Sequence, residues 1–150
     1  MSVNAILSKC NFTNEIVKLQ LLESSCLPIL LYATECCNLS VAQLKEINSW
    51  WNSIYRKIFG YNKWESVKCV IYFLNRLDIF HLINIRQMKF LKGMSSGDCI
   101  NKSIITVVKV FINSGKCLSI FNKYNCQFEW SIKKMIHNVY ISFKNRVLTN

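Results

Sequence analysis

Between residues 40 and 60, apolar side chains recur with helical spacing: Leu44, Ile47, Trp51, Ile54 and Ile58 follow steps of three and four. That spacing gathers them on one face of a helix. Ser40 stands where an N-cap belongs, Gln43 can return a hydrogen bond to its amide, and Leu39 can staple onto Leu44. Gly60 supplies the left-handed residue that closes a helix, while Arg56 and Lys57 oppose the negative end of the dipole. Upstream, Ile16, Leu19, Leu22 and Cys26 repeat the spacing, with Thr13 as a cap and Glu15 in the first turn. Pro28 lacks an N–H and clashes with the preceding turn, so the pattern predicts two helical pieces here, 14–25 and 28–36.

Downstream, Val67, Val70, Ile71 and Leu74 predict a helix over 64–75. Another opens at Asp78, a good N-cap, and runs through Leu82, Ile83 and Phe90 to Gly93. Residues 94–98 then form a loop and a boundary, dividing the chain into a helical domain, 1–96, and a helical C-terminal extension, 97–150. The β-branched stretch 103–111 suits either helix or strand, and without an evident partner strand it is assigned to helix. Ile132, Met135, Ile136, Val139, Tyr140 and Phe143 mark a last amphipathic helix over 128–147, although the final third is expected to pack least well. The expected fold is all-α, a bundle of five to seven helices. Its core should draw on Leu22, Leu27, Leu30, Leu31, Leu44, Ile47, Trp51, Ile54, Ile58, Val67, Val70, Ile71, Leu82, Ile83 and Phe90.

Composition supports a packed domain, with 51% apolar and 13% aromatic residues. The longest apolar run, 26–33, falls far below the roughly 18 residues that span a bilayer. No membrane span is expected. The start of the chain lacks a charged region followed by an apolar core, so an intracellular location, nuclear or cytoplasmic, is expected. In a reducing compartment the eight cysteines serve as small hydrophobes and surface thiols. None forms a C-x-x-C pair, and Cys99, Cys117, Cys126 and His137 lie too far apart for a zinc finger, so neither metal nor cofactor is expected.

The net charge of +11 is unevenly placed: residues 1–48 carry three lysines against four glutamates, whereas 49–102 carry nine basic groups against three acidic ones. Such a field suits phosphate, anionic lipid or an acidic protein surface, or else solvates helix faces. Catalytic candidates are few. Two-metal polymerase chemistry needs clustered carboxylates, and the only aspartates are Asp78 and Asp98, twenty residues apart. His81 and His137 have no nucleophile motif beside them and are expected to be helix residues, His81 partly buried. No catalytic residue is assigned and no enzymatic activity is expected of these residues.

What remains is basic with interleaved aromatics. Arg56, Lys57, Lys63 and Lys68, with Arg86, Lys89 and Lys92 on a following helix, are candidates for one surface that neutralises RNA, DNA or hybrid phosphates without reading sequence. Trp51 shares the apolar face, whereas Trp50 points elsewhere and is the candidate for stacking or partner contact.

Two strings carry a resemblance. The first is Lys18-x-x-Leu21-Leu22-Glu23-Ser24-x-Cys26-Leu27-Pro28-Ile29-Leu30-Leu31-Tyr32-x-x-Glu35; the second is Trp51-Asn52-Ser53-Ile54-Tyr55-Arg56-Lys57-Ile58-Phe59-Gly60, continuing through Trp64 to about Ser96. They resemble the thumb and C-terminal region that follows the catalytic core in reverse transcriptases of non-LTR (LINE-type, jockey-like) retrotransposons. The resemblance implies a helical thumb gripping template–primer backbone, with the palm domain of an RNA-directed DNA polymerase as a second partner. The palm's metal-binding carboxylates are not among these residues, so a non-catalytic fragment is expected. Residues 103–150 carry no such likeness. Other readings are an inactive element remnant or helical protein-interaction domain, and a basic peripheral membrane protein suggested by the last helix.

Overall fold

A computed structural model describes residues 3–10, 12–32, 34–35, 37, 39–96 and 115–149. Among these the chain forms seven helices and no strand: α1 (Val3–Lys9), α2 (Glu15–Leu30), α3 (Val41–Phe59), α4 (Lys68–Phe73), α5 (Ile79–Ser96), α6 (Gly115–Lys123) and α7 (Ile132–Leu148). The all-α expectation holds.

The helix ends show why the boundaries fall where they do. Asn14, not Thr13, caps α2, its Oδ1 accepting from the Ile16 amide at 2.9 Å. α2 does not break at Pro28; the proline sits in the last turn, where its missing N–H costs one bond before the helix ends. The chain then turns, with Thr34 Oγ1 donating to the Leu31 carbonyl at 2.9 Å, and the described residues 31, 32, 34 and 35 form turns in place of the expected second helical piece over 28–36. α3 has the full capping box between Ser40 and Gln43, and Gly60 closes it at φ 70°.

The expected 64–75 helix shrinks to the six residues of α4, because residues 61–66 form a bonded turn and Asn75 leaves the helix at φ 57°. Asp78 caps α5 as expected, Oδ1 accepting from the His81 amide at 2.9 Å. Gly93 does not end α5: it lacks a positive φ and the helix continues to Ser96, so 94–96 are helix, not loop. Ser131 caps α7, which therefore starts after the expected 128. The helix expected over 103–111 lies outside the described residues.

α2 packs on α3, α3 on α5, and α7 on both α4 and α5. One buried cluster runs through them, from Leu19 and Leu22 on α2 through Trp51, Ile54, Tyr55 and Ile58 on α3 to Ile83 and Met88 on α5. Met135, Val139 and Phe143 of α7 complete it, and much of the final third, expected to pack least well, lies outside the described residues. Of the predicted core, Leu22, Leu31, Trp51, Ile54, Ile58, Val67, Ile71 and Ile83 are buried, while Leu27, Leu30, Leu44, Ile47, Val70 and Leu82 are half-buried against it. Phe90 is a correction: it is exposed, because Met88 and Leu91 take the buried positions of that turn.

Polar bonds fix the packing angle. Arg76 Nε donates to both Glu23 carboxylate oxygens at 3.1 Å, and the Tyr55 hydroxyl donates to Glu23 Oε1 at 3.4 Å. Burial, with Glu23 close by, pushes the Tyr55 phenol well above its usual range. Asn84 Nδ2 donates to the Tyr124 hydroxyl at 2.7 Å, joining α5 to the turn after α6. No described helix is long and apolar enough to cross a membrane.

Candidate nucleic-acid interface

The candidate site is built where α3 ends. Helix periodicity buries Tyr55 and Ile58 and leaves Arg56 and Lys57 at the rim. Beyond Gly60, the turn 61–66 is held by Glu65. Its Oε2 accepts from the Asn62 amide at 2.7 Å, its Oε1 from Asn62 Nδ2 at 3.1 Å, and its backbone N–H donates to the Asn62 carbonyl at 3.1 Å. Arg56 Nε donates to the Glu65 carbonyl at 2.9 Å, and buried Val67 anchors the turn's far side. At its tip Trp64 is 88% exposed, with Lys63 Nζ 5.2 Å from the ring centroid.

Lys57 is exposed and donates to Asn4 Oδ1 of α1 at 2.8 Å; Lys68 is exposed at the start of α4. Among the described residues no carboxylate pairs with Arg56, Lys57, Lys63 or Lys68. The Glu65 carboxylate is bonded within the turn and keeps its charge, but Arg56, Lys57, Lys63 and Lys68 outnumber it, so the local field stays positive.

The cations of α5 behave differently. Arg86 Nη1 donates to the Leu31 carbonyl at 3.0 Å and lies 4.0 Å from Glu35 Oε2, securing the turn after α2. Lys92 Nζ donates to the Trp130 carbonyl and, at 3.4 Å, to the Phe128 carbonyl. Lys89 is exposed. Arg86 and Lys92 thus reach different chain reversals, and only the α3–α4 group collects around one turn.

Trp50, 58% exposed, borders a groove of about 610 Å³ between α1, α2 and α3. Val3, Asn4, Cys26, Ile29, Leu30, Ser53 and Lys57 also line it. The groove joins side chains from three helices and has no local sequence signature.

His81 is fully buried, more so than expected. Its Nδ1–H donates to Asp78 Oδ1, and its ring meets those of Phe143 at 5.1 Å and Tyr124 at 5.8 Å. Burial raises the Asp78 carboxyl, but the bonds and charge of His81 outweigh it and hold the group below its ordinary value. His81 is sealed from solvent while the Asp78 side chain keeps 15% of its surface exposed, and the pair caps α5. Burial and the charge of Arg146 lower the Lys123 ammonium to about 8. No group of three or more His, Cys, Asp or Glu among the described residues could hold a metal ion.

Set against protein-family profiles, curated proteins and solved structures, the chain gives no match.

Proposed function

We propose that this chain is a non-catalytic, thumb-like module of a non-LTR retrotransposon reverse transcriptase that holds nucleic-acid backbone. The observation that carries the proposal is the set of four cations, Arg56, Lys57, Lys63 and Lys68, around the end of α3, none of which pairs with a carboxylate among the described residues. The strings at 18–35 and 51–60 supply the family, and an all-helical fold suits it. Contacts of this kind position a duplex and carry no sequence information.

Replacing Arg56 and Lys57 together by Ala tests this in the full chain. RNA, DNA and hybrid should weaken by similar factors, on the order of 10- to 100-fold at about 50 mM salt, and the salt slope on duplex DNA should shrink by about 1.8. A changed base preference at preserved affinity would contradict backbone binding.

A second reading, a protein-interaction domain, is favoured by the Trp50 groove. An apolar contact there, with the palm domain as the partner that the resemblance suggests, would respond little to salt.

A further inference from the structure

We infer that the 61–66 turn is a stacking platform on which Trp64 takes an unpaired nucleobase of a single strand, while Lys63, Lys68 and Arg56 meet the flanking phosphates. The inference presupposes that the chain binds nucleic acid and specifies which form engages this turn.

An indole is among the largest apolar groups a chain can bury, and Trp51 is 1% exposed whereas Trp64 is 88% exposed. Trp64 is not exposed because its loop is slack. Three hydrogen bonds between Asn62 and Glu65, the Arg56 bond to the Glu65 carbonyl and the buried Val67 fix the backbone on both sides of it. The turn therefore holds the indole out from the surface, and half-exposed Tyr61 adds a second ring at its start.

The surroundings choose the occupant. A cation, Lys63, holds its ammonium 5.2 Å from the Trp64 ring centroid, and the one acid of the turn is bonded to Asn62. An apolar protein partner would want apolar neighbours around the ring; a planar base on a phosphate chain wants what is there, a π-face among positive charges. Stacking of this kind tolerates any base, because every base has a π-face. In a blunt duplex the base faces are covered by their neighbours everywhere but at the two ends, so binding along the duplex should not use Trp64.

The test compares the wild-type chain, Trp64→Ala and Trp64→Phe on a labelled oligothymidylate and on a blunt DNA duplex of equal length, by fluorescence anisotropy across salt. Trp64→Ala should weaken the single strand roughly 5- to 150-fold, and Trp64→Phe should restore most of that loss. Duplex affinity should change by less than about twofold, and the salt slopes should coincide because no charge is altered. Since Trp64 is exposed, both variants should melt like the wild type. Equal losses on strand and duplex, or unchanged strand binding by Trp64→Ala, would overturn the stacking role while leaving backbone binding standing. Absence of wild-type binding to both ligands at low salt would remove both.

Discussion

Trp51→Ala is expected to destabilise the protein by about 3–5 kcal/mol, the usual cost of emptying a large aromatic site in a packed core. Trp51 is 1% exposed, lies on the buried face of α3, the helix that packs on α2 and α5, and meets the Tyr55 ring edge-on at 6.3 Å. Neighbouring helices cannot collapse fully into the space, because the Glu23–Arg76–Tyr55 bonds hold their spacing. Against a total stability of about 5–15 kcal/mol, this is a large fraction. Trp50→Ala, one residue away but 58% exposed, should cost less than about 1 kcal/mol. Urea midpoints of the two variants, at unchanged m, provide the measurement. Similar losses from both would place α3 in a different rotational setting.

The second large effect belongs to Asp78. Its Oδ1 accepts from both the backbone N–H and the Nδ1–H of His81. Asp78→Ala removes the α5 cap and orphans a buried ring donor, for a combined loss of about 2–4 kcal/mol. Asp78→Asn keeps an acceptor and should lose much less, which separates the bond from the charge. The pH dependence has a definite sign. The Asp78 carboxyl is held below its ordinary 3.8, so its contribution is fully present above that value and fades as pH falls through the lower folded-state value. Melting temperatures of wild type and Asp78→Asn should differ by a constant amount from neutral pH down to about pH 5, then converge in acid. Convergence on the alkaline side instead would show that the charge on Asp78 is not the source.

Local chemistry made part of this fold legible and long-range contacts hid the rest. Ser40, Gln43 and Gly60 lie within the reach of one helix, so their hydrogen bonds follow from spacing alone, and α3 ends where they require. Pro28 was misleading because, two residues before the end of α2, it forfeits a single amide bond and the helix still runs past it to Leu30, which cannot be known before the end itself is placed. Gly93 misled in a similar way: glycine permits a left-handed stop but does not impose one. Tyr55 was missed as core since its hydroxyl argues for the surface until Glu23, 32 residues away, is seen to accept from it.

The candidate site divides along the same line. Arg56, Lys63 and Lys68 are close in sequence and stay near one turn. Arg86, Lys89 and Lys92 look like a basic ridge at three-residue spacing, yet the partners of Arg86 and Lys92 lie 55 and up to 38 residues distant. The turn itself had a faint signal, Asn62 followed three residues later by Glu65, the spacing at which a carboxylate reaches back to an amide. Periodicity absorbed Trp64 and Glu65 into a helix and hid it.

Backbone binding is tested most directly by titrating the full-length chain against a labelled RNA–DNA hybrid between about 50 and 200 mM salt. With four cations around the end of α3 that pair with no carboxylate among the described residues, log affinity should fall linearly with log salt at a slope of roughly −3 to −4, alike for hybrids of unrelated sequence. Affinity indifferent to salt, or no binding at the lowest salt, would contradict the account.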